Sequence, residues 1–148
     1  MKRLLLVLLL VLPLPASHAA APPPPGSIHA TVEPFVPEVS LALAAPASHR
    51  AGAAFHAVAS VTNTGSRTLS VTLGLLVPVG LSGGTDQSTV SLRPRGTRAT
   101  TWTLCSVLAG QYVLVATASY AAPSERTVSV DSPAQVVVIT AVRRAACG

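Results

Sequence analysis

Ser60-Val61-Thr62-Asn63-Thr64-Gly65 begins the stretch that decides the fold, and the stretch runs on to Tyr120. A strand-like run ends at Asn63-Thr64-Gly65. Asparagine can bond backbone groups two residues on, and glycine accepts positive φ, so the chain can reverse there. A second alternating run, from Leu69 to Val77, ends in Pro78-Val79-Gly80. A third follows Leu92-Arg93-Pro94-Arg95-Gly96, and a fourth begins at Gly110-Gln111-Tyr112. Apolar side chains at every second residue line one face of a strand. Short strands separated by Gly, Pro, Asn and Ser read as sheets packed face to face.

The same period extends outward in both directions. Val39, Leu41 and Leu43 form a strand A, and Phe55, Ala57, Ala59 and Val61 the inward face of a strand B, with His56, Ser60 and Thr62 opposite. Leu69 to Val77 is strand C, and Val90 and Leu92 mark a short strand D. Thr100, Trp102 and Leu104 give strand E, and Tyr112, Leu114, Ala116 and Ala118 give strand F. Strand G, Val136 to Thr140, is almost wholly apolar. Thr127-Val128-Ser129-Val130 reads either as an extra strand or as the first part of a strand G broken at Asp131-Ser132-Pro133. About seven strands with no helical spacing predict an all-β, immunoglobulin-like antiparallel β-sandwich.

The amino-terminal residues carry a different signal. Met1-Lys2-Arg3, the apolar run Leu4–Leu12, the breakers Pro13 and Pro15, and the small residues Ser17-His18-Ala19 read as a secretory signal peptide over residues 1–19. The apolar run is shorter than the ~20 residues a bilayer crossing needs. Pro22-Pro23-Pro24-Pro25-Gly26, Pro34 and Pro37 then mark residues 20–37 as an extended, proline-rich linker. The domain is expected over residues 38–148, and the product is expected to be exported.

Cleavage after Ala19 removes Lys2 and Arg3, leaving eight arginines against five acids. Those arginines are scattered, and only Arg93, Arg95 and Arg98 are close in sequence. Nucleic-acid binders cluster cations on one face, often with stacking aromatics between them. Three arginines at a strand-to-strand corner read instead as a solvated turn, and no nucleic-acid partner is expected.

Cys105 and Cys147 are the two cysteines of the chain. In an exported protein such a pair reads as a disulfide. Strands E and G of a seven-strand sandwich point to the same end, so the end of E and the residues beyond G can meet there. Such a bridge would stabilise the fold by about 4 kcal/mol in the chain-entropy model. A reactive thiol would need a neighbouring base or cation, and Cys105 has none in sequence.

Catalytic chemistry finds no constellation. After cleavage the histidines are His29, His49 and His56, and the acids are Glu33, Glu38, Asp86, Glu125 and Asp131. None of these has the close spacing of metal ligands, and no Gly-x-Ser-x-Gly elbow is present. No catalytic residue, metal or cofactor is expected. His49 falls in the turn between A and B, His56 faces outward, Trp102 faces the core, and Tyr120 is the aromatic open to exposure. Gly110 and Tyr112 suit a tyrosine corner, in which the hydroxyl returns to nearby backbone.

With Asn63-Thr64-Gly65, Pro78-Val79-Gly80, Leu92-x-Pro94-x-Gly96 and Gly110-Gln111-Tyr112 in place, residues 39–140 resemble two bacterial groups. These are the cell-adhesion-related CARDB domains and the Ig-like domain associated with α-galactosidases. The resemblance implies structural turns at Asn63, Gly65, Gly110 and Tyr112, and a spacer or accessory role without an active site. Arg95 departs from it by splitting the usual Pro-Gly. The chain is also similar to Ig-like protease inhibitors of the chagasin type. That similarity implies a binding end built from Asn63–Arg67, Arg93–Arg98 and Ala121–Arg126. Ala121-Ala122-Pro123-Ser124 stands where those inhibitors carry an aromatic-bearing loop.

The sequence therefore predicts a secreted, bacterial, non-enzymatic Ig-like module for protein or cell-surface interaction or structural support. Its partner is not identified by the residues. A small secreted protease inhibitor is the alternative.

Overall fold

A computed structural model of the chain describes residues 36–124 and 126–148. The signal peptide expected over 1–19, and residues 20–35 of the expected linker, lie outside the described residues. Ten strands form: β1 (Val39–Ala44), β2 (Ser48–Arg50), β3 (Phe55–Asn63), β4 (Leu69–Leu76), β5 (Ser82–Gly83), β6 (Ser88–Leu92), β7 (Thr97–Cys105), β8 (Gly110–Ala121), β9 (Thr127–Asp131) and β10 (Gln135–Thr140). They pack as two sheets, ordered β1-β3-β7-β5 and β2-β10-β8-β4-β6, with β9 also paired to β8. This is the all-β, Ig-like sandwich that the period of two predicts.

The strand count corrects the expectation of about seven. Ser48–Arg50 is not simply a turn: it lies parallel to β10, with His49 opposite Ile139. Three residues with a single inward side chain show no alternation, so the sequence hides this strand. The two-residue β5 pairs with Leu104 and Cys105 at the end of β7. The third addition is β9, which continues β10 along β8.

The break between β9 and β10 is a bulge. Thr117 pairs with Asp131 and Leu114 with Gln135, so Val115 and Ala116 face the three residues Ser132, Pro133 and Ala134. One extra residue reverses which side chains face inward. Val128 and Val130 point toward the core before the bulge, whereas Val137 and Ile139 are buried after it. Ser132 closes the gap: its N–H donates to the Ala116 carbonyl at 2.9 Å, and its Oγ accepts from the Ala116 N–H at 3.0 Å. Pro133, which has no donor to offer, sits where no ladder bond is required.

Large side chains from both sheets fill the core. Leu73, Leu92, Leu104, Leu114, Val61, Val71 and Val137 are fully buried, and Trp102 is 4% exposed. The central strands contribute small residues, Ala57 and Ala59 on β3 and Ala116 and Ala118 on β8, all at 0% exposure. Trp102 directs its indole N–H to the Asp86 carbonyl at 2.8 Å, so the bulkiest core residue leaves no unpaired donor.

Tyr120 corrects the expectation of an exposed aromatic, since it is 3% exposed. β8 continues to Ala121, so Tyr120 keeps the inward parity of Tyr112, Leu114, Ala116 and Ala118. Its hydroxyl accepts from the Glu38 N–H at 2.8 Å, satisfying a backbone donor at the entry to β1.

Cys105 and Cys147 form a disulfide with Cα atoms 6.0 Å apart. It ties the end of β7 to the segment beyond β10. The Cys105→Ser/Cys147→Ser double variant should fold but lose about 4 kcal/mol of stability. Urea unfolding curves of the oxidised protein and the variant measure that difference.

Candidate interaction surfaces

Asn63 organises one end of the sandwich. It is the last residue of β3 and is 0% exposed. Its Nδ2 donates to the carbonyls of Arg67 at 2.7 Å, Leu92 at 3.2 Å and Arg93 at 3.2 Å. Its Oδ1 accepts from the Gly65 N–H at 2.9 Å, and its own N–H donates to the Gly96 carbonyl at 3.0 Å. One amide thus joins the β3–β4 turn to the β6–β7 turn. Gly65 does not take positive φ, in contrast to the sequence expectation. What it supplies is room, since a Cβ there would stand 3.0 Å from Glu38 Oε1 and 3.3 Å from Asn63 Oδ1.

Arg67 extends the connection to two further strands. Its Nε and Nη2 donate to Glu38 Oε2 at 3.0 and 2.9 Å, and Nη2 also donates to the Ala121 carbonyl at 2.7 Å. The pair is partly exposed, so its contribution is screened by solvent. Of the segments Asn63–Arg67, Arg93–Arg98 and Ala121–Arg126, named in sequence as one binding end, the bonds of Asn63 and Arg67 join the first to Arg93 and to Ala121.

The β6–β7 turn has an unusual residue at its tip. The Gly96 N–H donates to the Arg93 carbonyl at 2.9 Å, with Pro94 and Arg95 between them. Arg95 has φ 60°, which a non-glycine residue adopts only at a cost of about 1 kcal/mol or more. Pro94 followed by a positive φ is the pattern of a type II turn, whose third position favours glycine. The Pro-Gly that Arg95 splits in sequence is thus replaced by an arginine in the glycine conformation. Arg93, Arg95 and Arg98 are all exposed.

The opposite pole is held by Tyr112 and the disulfide. The Tyr112 hydroxyl donates to the Leu108 carbonyl at 3.2 Å and lies 3.1 Å from Ser106 Oγ. Ser106 is itself buried, and its Oγ accepts from the Leu108 N–H at 3.1 Å. Gly110 makes no demand of its own, because a Cβ there would meet the Tyr112 ring only at 3.8 Å. Gly80 does: its φ is 99°, and a Cβ would lie 3.0 Å from both Tyr112 Cε1 and the hydroxyl oxygen. Sequence reading names Gly80 only as a turn residue and misses Ser106, since neither signals its contact with Tyr112.

A third surface lies on the outer face of the six-stranded sheet. Val113 on β8 pairs with Val136 on β10, and Val115 on β8 pairs with Leu76 on β4. Leu76, Val113 and Val136 are 58%, 52% and 51% exposed. This apolar stripe crosses three adjacent strands.

His49 and His56 lie apart. His56 faces outward, with Nδ1 3.2 Å from Thr103 Oγ1. His49 packs against Phe55 with ring centroids 5.3 Å apart, and its buried Nε2 has no hydrogen-bond partner. Among the described residues no three His, Cys, Asp or Glu side chains converge as a metal site.

The sandwich, its two poles and its exposed stripe define an Ig-like module. No family model and no curated protein matches the chain. Solved structures do. The CARDB domain of a Pyrococcus furiosus protein, solved in complex with di-metal ions, aligns with TM-score 0.51 and 18% identity over 70% of this chain and 89% of that one. Native α-2-macroglobulin from Escherichia coli aligns with TM-score 0.60 and 18% identity over 70% of this chain and 16% of that one. One chain of the complex between zinc 2-glycoprotein and prolactin-inducible protein from human seminal plasma aligns with TM-score 0.53 and 14% identity, over 67% of this chain and 94% of that one. At these identities the likeness is one of fold, and that fold is CARDB-like.

Replacing Asn63 with Ala would leave three carbonyls and the Gly65 N–H without their side-chain partner. The expected loss is about 2–4 kcal/mol, measurable by chemical denaturation. Arg95→Gly should act in the opposite direction, raising stability by about 1 kcal/mol through relief of the positive φ.

Proposed function

We propose that the protein is a secreted, non-enzymatic Ig-like module that works by contact with a protein or cell-surface partner. The observation that supports this reading is the apolar stripe of Leu76, Val113 and Val136. Contiguous exposed apolar residues on a folded domain mark interaction sites more often than chance. The outward residues beside them include Gln111, Val115, Thr117 and Val138, none of which is charged. The core of a protein interface is depleted of charge in the same way.

Export rests on the amino-terminal sequence, and a disulfide fits an oxidising compartment. No helix among the described residues is long and apolar enough to cross a membrane. The inhibitor alternative draws on the gathering of three turns at the Asn63 pole. Among the described residues, those turns expose no large hydrophobic side chain that would fill a protease cleft.

Affinity capture with the tagged protein, from the envelope and culture medium of its source, tests the reading. A parallel capture uses the Leu76→Ser/Val113→Thr/Val136→Thr variant. The unaltered protein should retain a partner that the variant loses, with the thermal midpoint nearly unchanged because all three sites are exposed. A partner held equally by both proteins would remove the stripe from the argument. Stoichiometric inhibition of a secreted protease would transfer the assignment to the inhibitor alternative.

A further inference from the structure

The Asn63 pole carries charge that the fold does not use. Glu38 is the acid described at this pole, and it is engaged by Arg67 at 2.9 Å. Arg93 and Arg95 on the neighbouring turn and Arg98 at the start of β7 are exposed, with no acidic partner among the described residues. Arg126 is at the same pole, through the hydrogen bond from the Ala122 N–H to its carbonyl at 2.9 Å. Arg126 follows Glu125 directly in sequence, an acid that offsets its charge.

We infer that this pole is a binding site for an anionic polysaccharide, with Arg93, Arg95 and Arg98 as its cationic contacts. Three observations carry the inference. The first is Arg95 itself: its φ of 60° belongs to glycine, so the arginine stands at the turn tip against the backbone's preference. Arg144, at the disulfide pole, takes the same conformation with φ 61°, so the conformation of Arg95 counts only together with the groove and the cations beside it. The second is the shape beside it, a shallow groove of about 430 Å³ lined by Ser91, Leu92, Arg93, Gly96, Thr97 and Arg98, with Arg95 outside its lining. Guanidinium forks match sulfate, phosphate and carboxylate groups, while the Ser91 hydroxyl suits the hydroxyls of a sugar; Thr97 Oγ1 is already 2.8 Å from Thr62 Oγ1. The third is rigidity. Asn63 fixes the turn from below through the Leu92 and Arg93 carbonyls and the bond to Gly96, so the arginine-bearing backbone is set before a ligand arrives.

The same features select among polyanions. The turns at this pole present no aromatic side chain on which a nucleic-acid base would stack. The turns themselves expose no large apolar side chain of the kind around which protein hot spots form, and Val36, two residues before Glu38, is the exposed aliphatic residue leading into this pole. A polymer with repeated charges and hydroxyls needs neither. The site is distinct from the apolar stripe, so the two assignments stand or fall separately.

Isothermal titration with heparin and with polygalacturonate, at low and at high salt, provides the test. The protein should bind at least one of them, with affinity falling as salt rises. The Arg93→Gln/Arg95→Gly/Arg98→Gln variant should bind about tenfold more weakly or worse, because each surface cation contributes to attraction toward an anionic polymer. Thermal unfolding should show that variant to be folded, with a midpoint equal to or above that of the unaltered protein. Arg143→Gln/Arg144→Gln, at the disulfide pole, and the stripe variant should bind as the unaltered protein does. Absence of binding to both polymers would overturn the proposal. So would an equal loss in the Arg143/Arg144 variant, which would reduce the effect to net charge. Equal or tighter binding of a duplex DNA oligonucleotide of matched charge would overturn the assignment to polysaccharide.

Discussion

The side-chain amide of Asn63 is the interaction on which the rest of this sandwich depends. A β-sandwich leaves its turn carbonyls facing one another at each pole, where no ladder can satisfy them. At one pole, a single buried group bonds the carbonyls of Arg67, Leu92 and Arg93 and accepts from Gly65. Arg67 and Leu92 flank two different turns, so the amide fixes the spacing between β3, β4, β6 and β7. The cost of leaving such groups unpaired inside a protein far exceeds the net gain of one exposed hydrogen bond. That imbalance explains why a small polar residue occupies a fully buried position among leucines and valines.

The opposite pole solves the same problem with different chemistry. Tyr112 and Ser106 satisfy the Leu108 carbonyl and N–H, and the disulfide adds a covalent tie nearby. With both ends fixed, the outer faces and turn tips are relieved of structural duty. Alanines on β3 and β8 keep the middle of the core thin, while Trp102, Phe55 and the leucines fill the volume around them. Among the residues exposed against ordinary preference, Arg95 with its positive φ and the contiguous Leu76, Val113 and Val136 on neighbouring strands are the ones the two proposed sites use.

Much of this fold is legible in the sequence because a half-buried strand must alternate. Leu69 to Leu75 and Tyr112 to Ala118 write their inward faces directly into the chain, whereas Tyr120, two residues further on, is inward only because β8 continues to Ala121. Legibility fails where a strand has too few residues to show a period, as with β2 and β5. It fails again at β10, where Val136, Val137, Val138 and Ile139 are all apolar. Only the one-residue bulge at Ser132–Ala134 decides which of them face solvent, and hence that Val136 joins the stripe. The arginine pole was half visible. Arg93, Arg95 and Arg98 are near in sequence, but the loss of Glu38 to Arg67 is a contact across 29 residues, and the φ of Arg95 has no signature in composition.

The disulfide also sets how this domain would carry load. A pull applied at Val39 and Gly148 enters β1 at the Asn63 pole and reaches Cys147 from the other side. There the sulfur bridge passes it directly to Cys105, at the far end of β7. Tension then runs through β7, β3 and β1, whose antiparallel ladders pair Phe55 with Leu104 at one end and Val39 with Asn63 at the other. Those ladders are loaded in shear, with many hydrogen bonds resisting together. The covalent shortcut keeps residues 106–146, including β8, β9 and β10, out of the force path. The face that bears the apolar stripe is thus mechanically sheltered, and its shape persists while the other sheet takes the strain.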